Sequence, residues 1–196
     1  MAAPRVLVGM STRGYAYGPS VVAAVNLARQ YGTEFALEIG KPIEFVRTRL
    51  VTRFLESGAD YLLTIDDDVV APEGTAERLL ALNASFATAP CPVFINNRIV
   101  SNVKLPGEDD WLASPPPRVF PVRQSGLGFV VIHRDVFARV RKPWFQLGAA
   151  AGGRMVGDDV WFSNGVTQAG IEILCDGSIR CSHFKDGLDL LKLWKE

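Results

Sequence analysis

The sequence predicts an α/β domain whose central sheet is mostly parallel and flanked by helices. Short apolar segments with strand character alternate with amphipathic segments of helical periodicity through the first half of the chain. Parallel strands need a crossover connection between them, which is usually a helix, and the alternation supplies one each time. The 196 residues are 48% hydrophobic, which is enough for one compact domain with its own core.

The first half of the chain supplies these segments in a regular order. Phe35, Leu37 and Ile39 recur at every second position, as the buried face of a strand requires. Leu50 and Phe54 recur at helical spacing, and the helix that they predict ends at a glycine. The predicted strands are 5–9, 34–40, 60–65 and 91–95, and the predicted helices are 19–32, 43–58 and 72–83.

The second half of the chain is less regular. Residues 96–124 are rich in proline, which predicts a long loop, and such a loop inside a compact domain is more often functional than idle. The next predicted segments are a strand and a short helix in 126–140, a flexible stretch in 146–155, a helix in 157–170 and a strand in 171–175. The tail predicts a short amphipathic helix that packs on the body through Leu188, Leu191 and Trp194. We expect 105–118 and 146–155 to be the most mobile segments without ligand.

The amino-acid composition indicates which binding partners and which cellular compartment to expect. Lys plus Arg number 21, as do Asp plus Glu, so the neutral chain offers no bulk attraction to nucleic acid or to an anionic membrane. Three cysteines without a CxxC pair argue against a disulfide framework. No apolar stretch approaches the ~20 residues that span a bilayer, and the first residues lack the apolar run of a signal peptide. We therefore expect a cytoplasmic protein without a transmembrane segment.

Three consecutive aspartates follow the predicted strand 60–65. Asp66, Asp67 and Asp68 lie just past its carboxyl end, which is where an open α/β sheet binds its ligand. Adjacent carboxylates resist ionising together unless a cation compensates them, and carboxylate oxygens suit Mg²⁺ or Mn²⁺. The structural alternative is a solvated acidic turn in which Asp68 or a neighbour caps the following helix.

Two classes of enzyme place a D-x-D motif after an apolar strand. The haloacid-dehalogenase type of phosphotransferase has the pattern D-x-D-x-[TV], which Asp66, Asp68 and Val70 satisfy. Residues 157–164 also resemble the later acidic motif of that family. That family, however, places its nucleophilic aspartate on the first strand, whereas two strands and two helices precede it here. No lysine stands out at the end of a middle strand either.

The chain resembles more extensively the nucleotide-sugar glycosyltransferases of the GT-A fold, family 2-like enzymes with a D-x-D motif. Residues 45–69 resemble their helix and D-x-D strand, with Arg47 on a characteristic arginine and Thr48 where asparagine is usual. Residues 126–137 resemble the glycine-rich turn and strand on the acceptor side. Residues 157–184 resemble the G-E-D helix, the following strand and the late histidine, with Asp158 in place of glutamate. The motifs follow the family's order over nearly the whole chain.

The resemblance implies a metal-dependent transfer of a sugar from a nucleotide-diphosphate sugar, UDP favoured, to an acceptor hydroxyl. It implies that Asp68 is the main metal ligand and that Asp66 lies nearer the ribose or a metal-bound water. Whether Asp66 or Asp67 shares the metal stays open, and His183 supplies a nitrogen ligand. Mn²⁺ accepts imidazole more readily than Mg²⁺ does, so Mn²⁺ is favoured. The implied donor-binding residues are Ser11, Thr12, Arg13, Arg47, Asp66 and Asp67.

The acidic pair Asp158 and Asp159 is the candidate catalytic centre. In an inverting transferase one carboxylate deprotonates the acceptor hydroxyl. Helix capping is the alternative role for Asp158, because acidic groups are favourable in a first helical turn. We expect Asp159 to be the base and the transfer to invert the anomeric configuration. Trp144 and Trp161 are candidates for stacking on a sugar ring.

The resemblance also divides the single domain, 1–196, into two halves. Residues 1–95 form the nucleotide-binding half, and residues 96–196 form the acceptor half with the late His183. Two further hypotheses stay open: a dehalogenase-type phosphatase or phosphotransferase that uses Asp66 and Asp68, and a nucleotide-sugar-binding module without catalysis.

Overall fold

The computed structural model of the protein describes residues 4–149 and 155–194. Within them the helices are α1 (Gly18–Gln30), α2 (Ile43–Ser57), α3 (Thr75–Ala81), α4 (Asp135–Arg139), α5 (Asp158–Gln168) and a short 3-10 helix (Leu190–Leu193). The strands are β1 (Val6–Thr12), β2 (Phe35–Ile39), β3 (Tyr61–Asp66), β4 (Val69–Val70), β5 (Phe86–Thr88), β6 (Pro92–Ile95), β7 (Arg98–Ser101), β8 (Val103–Lys104), β9 (Val119–Val122), β10 (Gln124–Ser125), β11 (Phe129–His133), β12 (Gly148–Ala149), β13 (Met155–Val156), β14 (Ile173–Asp176), β15 (Ser182–Lys185) and β16 (Leu188–Asp189).

The central sheet has seven strands in the order β2-β1-β3-β11-β5-β14-β9. β1 is parallel to β2 and β3, and β5 is parallel to β14. β11 is antiparallel to both of its neighbours, β3 and β5, and β9 is antiparallel to β14. Five of the seven strands therefore run in one direction, and the predicted mostly parallel sheet is confirmed.

Helices cover both faces of this sheet, so the domain has three layers and two apolar cores. Successive side chains of a strand point to opposite faces, and accordingly Leu62 of β3 joins one core while Leu63 joins the other. Phe54 of α2 and Phe162 of α5 pack in the first core, and Leu79 of α3 packs in the second. Helix α2 ends where the sequence predicts, at Gly58, whose φ of 72° is the left-handed conformation that glycine adopts most easily.

One predicted strand lies outside the central sheet. Residues 91–95 form β6, which pairs with β7 in a hairpin, and the strand that enters the sheet is the preceding β5. The hairpin turns at Asn96 and Asn97, whose φ values of 50° and 60° suit the tight turn between two antiparallel strands. β5 and β6 are two short apolar segments close together in the sequence, and periodicity alone does not predict which of them joins the central sheet.

Within the predicted loop 96–124, residues 105–118 have no helix or strand, as predicted, whereas β7 and β8 lie before them and β9 and the start of β10 lie after them. The expected mobile segment 105–118 is anchored in this structure by side chains of the body. Lys104 Nζ donates to Asp109 O (2.6 Å), Arg180 Nη2 to Pro115 O (3.0 Å) and Trp194 Nε1 to Ala113 O (2.7 Å). Of the second expected mobile segment, residues 150–154 lie outside the described residues, and the flanking β12 and β13 pair with each other.

The tail forms β16 and a 3-10 helix where the sequence predicts one amphipathic helix. It does pack on the body, since Leu190 is buried and the Trp194 ring lies against the Arg180 guanidinium, 5.3 Å from the ring centroid. Leu188, predicted to pack, is 61% exposed. Over the described ranges, no helix combines the length and the apolar character needed to cross a bilayer.

We predict that Gly9→Ala destabilises the fold by about 1–3 kcal/mol, the usual cost of overfilling a packed core. A Cβ at Gly9 would lie 2.6 Å from Leu50 Cδ1, which is buried between α2 and the sheet. Gly18→Ala is the matched control, because nothing lies within 4 Å of a Cβ there. Urea unfolding measures both variants, and equal stability of the two would contradict this account of the packing.

Candidate functional site

A cleft of about 730 Å³ opens at the carboxyl ends of β1 and β3. It is lined by nine of the ten predicted site residues: Ser11, Arg13, Arg47, Asp66, Asp67, Asp68, Asp158, Asp159 and His183. Thr12 is 2% exposed and is not part of the lining. Residues far apart in the sequence therefore meet at the edge of the sheet where an open α/β fold binds its ligand.

The pairing of β4 with β15 brings the late histidine to the aspartates. β3 ends at Asp66, whose N–H donates to Gly128 O (2.9 Å), and β4 begins at Val69. In the β4–β15 register His183 lies opposite Val69, and the Phe184 N–H donates to Asp68 O (2.8 Å). The two-residue strand β4 thus fixes which side chain of β15 reaches Asp68.

Each carboxylate oxygen of Asp68 contacts a nitrogen of a basic side chain. His183 Nε2 lies 3.2 Å from Oδ1, and Lys185 Nζ contacts Oδ2. Burial by itself would raise the pKa of Asp68, but the hydrogen bonds and charges of His183 and Lys185 outweigh it and lower the pKa. Burial would likewise lower the pKa of His183, and the contact with Asp68 overcomes it, so that the pKa of His183 is raised.

The orientation of His183 suits a metal ligand. Its Nδ1 lies 2.6 Å from Pro92 O, and a carbonyl only accepts, so Nδ1 carries the proton of this bond. A ring nitrogen held by a carbonyl is the usual support of a histidine whose other nitrogen binds a metal. Within the described residues no group of three or more His, Cys, Asp or Glu side chains is arranged to hold a metal ion. Lys185 occupies the second oxygen of Asp68 instead.

The charge of the cleft favours a cationic ligand. Six aspartates line it, namely Asp66, Asp67, Asp68, Asp158, Asp159 and Asp186, against the three permanent cations Arg13, Arg47 and Lys185. Burial raises the pKa of Asp67, a hydrogen bond with the Thr12 side chain counteracts this, and the neighbouring Asp68 and Asp66 add to the net upward shift. Neighbouring carboxylates repel one another when they are ionised together, and a bound divalent cation reduces this repulsion.

Arg47 of α2 links two separate acidic segments. Its Nη2 donates to Asp66 Oδ1 (3.0 Å) and its Nη1 donates to Asp158 Oδ2 (2.8 Å), and all three side chains are largely buried. Burial lowers the pKa of Arg47, but attraction by Asp66, Asp158 and Asp159 prevails and raises it. Because carboxylates already engage both terminal nitrogens, the guanidinium positions the acidic groups in this structure. Its contact with a diphosphate stays a prediction.

Asp159 lies beside Asp158 in the first turn of α5 and lines the cleft. Its Oδ1 accepts the N–H of Val160 (2.7 Å) in the first turn of α5. Burial raises the pKa of Asp159; Arg47 counteracts this and Asp158 adds to it, with a net upward shift. A carboxylate whose pKa is raised in a cleft has the property expected of a general base.

The end of β1 provides uncharged and cationic groups for a ligand. Ser11 is buried, and its Oγ has no hydrogen-bond partner among the described residues. Thr12 Oγ1 accepts the Gly14 N–H (3.1 Å) and donates to Tyr15 O (3.0 Å), so Thr12 shapes the loop. Arg13 is exposed at the mouth of the cleft.

Sequence reasoning missed Lys185 and Asn102. Lys185 follows His183 by two positions on β15, and side chains two apart share a face of a strand, so this signal was readable. Asn102 lines the cleft from the segment predicted to be a loop, and its Oδ1 accepts the Cys91 N–H (2.8 Å). Of the two tryptophans, Trp144 is buried in the first core, and Trp161 lines a separate cavity beside Arg139.

Comparisons with known structures support the fold. Comparison with protein-family models and with curated protein sequences finds no match. The chain is similar to A197 from STIV, with a TM-score of 0.72 and 21% identity over 97% of this chain and 92% of that one. It is also similar to GalNAc-T7 crystallised with UDP, GalNAc and Mn²⁺, with a TM-score of 0.53, 12% identity and 91% coverage of this chain. The match spans 38% of that longer chain. At these identities the likeness shows the fold alone, a mixed α/β domain like those of the two neighbours.

We predict opposite stability effects for the two neighbouring aspartates. Asp158→Asn breaks a buried charge pair with Arg47 and should cost on the order of 3 kcal/mol. Burial raises the pKa of Asp159 in the folded protein above its value in the unfolded chain. The protonated carboxyl is therefore favoured by folding at low pH, and this contribution to stability is lost as the pH rises through the folded pKa. Asp159→Asn removes that loss and should maintain or increase stability at neutral pH. Thermal unfolding at neutral pH checks this; a larger loss for Asp159→Asn would contradict it.

Proposed function

We propose that the protein is a metal-dependent glycosyltransferase that moves a sugar from a nucleotide-diphosphate sugar to an acceptor hydroxyl. The observation that carries the proposal is the contact between Asp68 and His183. Their 3.2 Å approach joins the D-x-D strand to a histidine 115 positions later, and Pro92 O holds the outer ring nitrogen. An ordinary acidic turn does not need a buried histidine in this orientation.

The donor would bind in the cleft between the end of β1 and the three aspartates. The buried Ser11 hydroxyl offers an unused hydrogen bond, and the exposed Arg13 offers a positive charge for a phosphate. Asp66 and Asp67, which line the cleft, would accept hydrogen bonds from ribose hydroxyls. GalNAc-T7, similar in fold, was crystallised with UDP, and UDP is our favoured nucleotide.

Asp68 and His183 would hold the metal, with Asp66 or Asp67 as a further ligand. One nitrogen and several carboxylate oxygens favour Mn²⁺ over Mg²⁺. When bound, the ion supplies positive charge that stabilises the departing diphosphate. Lys185 now occupies one oxygen of Asp68, and its side chain is 55% exposed and long enough to move aside. On release from Asp68 its ammonium group becomes available to the phosphates.

Asp159 would act as the general base on the acceptor side. The acceptor hydroxyl gives its proton to the Asp159 carboxylate while its oxygen bonds to the anomeric carbon. The bond from that carbon to the diphosphate breaks, and its electron pair leaves with the diphosphate. Attack opposite the leaving group inverts the anomeric configuration. Because the pKa of Asp159 is raised, activity should fall as the pH drops through that raised value.

The phosphotransferase alternative receives less support. It requires Asp66 to be a free nucleophile, whereas Arg47 Nη2 binds Asp66 Oδ1 at 3.0 Å. The D-x-D strand β3 is also the third strand of the chain, not the first. A binding module without catalysis differs from the proposed enzyme only in turnover.

We predict that UDP raises the melting temperature in the presence of Mn²⁺ and that Asp68→Ala and His183→Ala abolish this metal-dependent increase. Both side chains line the cleft and lie outside the two apolar cores, so the fold should survive. Thermal shift with UDP, GDP and CDP, each with and without Mn²⁺, is the measurement. His183→Ala that responds as the wild type does would show that the ligand assignment is incorrect.

Lys185→Met should strengthen metal binding, whereas Asp68→Ala and His183→Ala should weaken it. Removing the ammonium group frees an oxygen of Asp68 and removes a competing positive charge. The affinity for Mn²⁺ without nucleotide should therefore rise about two- to fivefold, the scale of a partly exposed ion pair. A loss of Mn²⁺ affinity would indicate that Lys185 supports the metal site in another way.

We predict inversion at the anomeric carbon and its dependence on Asp159. Asp159→Asn should bind the donor normally and lose about 10²–10⁴ of the turnover, the usual contribution of a general base. NMR of the first-formed product gives the anomeric configuration. A product that retains the donor's configuration would exclude Asp159 as the base of a single displacement.

A further inference from the structure

A second pocket, which the proposed donor site does not use, opens along α5. We call it the side pocket; its volume is about 400 Å³. Its cationic, aromatic and amide lining comes from Lys104, Trp111, Arg123, Gln124 and Asn164. A concave site with one aromatic ring and several fixed polar groups is the usual form of a small-ligand site.

Asp159 lines the cleft, and its chain neighbours Gly157 and Val160 line the side pocket. A Cβ built on Gly126, which lines the cleft, would be 3.3 Å from Asp159 Oδ2. A Cβ built on Gly157, which lines the side pocket, would be 2.8 Å from Asp159 Oδ1. The two oxygens of one carboxylate therefore each lie against a glycine of a different compartment. A ligand in the side pocket would therefore lie beside the first turn of α5, which carries this carboxylate.

The side pocket contains buried polar groups that lack partners. Gln124 is 8% exposed, its Nε2 donates to Asn164 Oδ1, and its Oε1 has no hydrogen-bond partner among the described residues. Arg123 Nε is likewise buried without one. A buried acceptor and a buried donor in one pocket are costly unless a ligand or water satisfies them. The terminal torsion of glutamine is soft, so a small rotation brings Oε1 to the surface of the pocket.

The anchored segment that carries Trp111 completes the pocket. Lys104 Nζ lies 4.7 Å from the centroid of the Trp111 ring and donates to Asp109 O. Arg123 Nη2 donates to Glu108 O (2.6 Å). These contacts hold the indole beside the amides of Gln124 and Asn164. An indole supplies an apolar face for the C–H groups of a sugar ring, while amides and guanidinium bond its hydroxyls.

We propose that the side pocket binds a sugar unit of the acceptor, so that the acceptor is a carbohydrate chain. One hydroxyl of this unit donates to the rotated Gln124 Oε1, another accepts from the partly exposed Arg123 guanidinium, and its ring lies against Trp111. The next unit of the chain then presents its hydroxyl to Asp159. Binding of sugar in this pocket stands by itself; its role as the acceptor subsite rests on the proposed function.

The test measures binding of the neutral trisaccharides maltotriose, mannotriose and N,N′,N″-triacetylchitotriose to the full chain by saturation-transfer NMR, without donor. At least one should bind, and Gln124→Leu and Trp111→Ala should each weaken it about tenfold, the scale of one hydrogen bond or one stacked ring. Trp111→Phe should retain binding. Gln168→Leu, on α5 but outside both compartments, is the matched control and should bind as the wild type does.

Two results would overturn the side-pocket proposal. In the first, no trisaccharide binds. In the second, a trisaccharide binds but its binding survives both Gln124→Leu and Trp111→Ala, so that it binds elsewhere and only water occupies the pocket. Presenting the same trisaccharide free and attached to a carrier protein distinguishes a free glycan from a protein-linked one, and binding of either supports the proposal. Trisaccharide binding without any response to nucleotides and Mn²⁺ would overturn the glycosyltransferase proposal and leave the sugar site. Sugar transfer to a non-carbohydrate acceptor alone would support the glycosyltransferase proposal and overturn the role of the side pocket as the acceptor subsite.

Discussion

The double ion pair of Arg47 is the contact on which the site depends. One guanidinium from α2 joins the end of β3 to the start of α5 through Asp66 and Asp158. The three side chains are largely withdrawn from water, so neither carboxylate could be buried there without this partner. The same link fixes the first turn of α5, and with it the position of Asp159. A structural residue thus sets the distance between the two acidic parts of the cleft.

A second constraint acts through the short pairing of β4 with β15. Its register brings His183 and Lys185 to the two oxygens of Asp68. Both partners lower the pKa of Asp68, while Asp67 next to it has a raised pKa because it is buried beside like charges. The three aspartates are therefore not equivalent. Their differences come from partners on other segments and not from their positions in the triplet.

The cleft and the side pocket divide the molecule by chemistry. The cleft is acidic, whereas the side pocket combines an indole and two amides with Lys104, Arg123 and Asp109. Asp159 lines the cleft with a raised pKa caused mainly by burial, and its neighbours Gly157 and Val160 line the side pocket. The first turn of α5 therefore contributes to both compartments.

The sequence by itself determined the fold class and the position of the aspartates at a strand end, and nine of the ten site residues that it predicted line the cleft. These follow from local periodicity and from the order of motifs, because strands and helices depend mainly on nearby residues. Only the tertiary structure decided that β5 and not β6 enters the sheet, that Lys185 pairs with Asp68, and that Arg47 joins two acidic segments. Such contacts join residues that are up to 117 positions apart, as for Asp68 and Lys185. Their partners are set by strand register and packing, which periodicity within one segment does not encode.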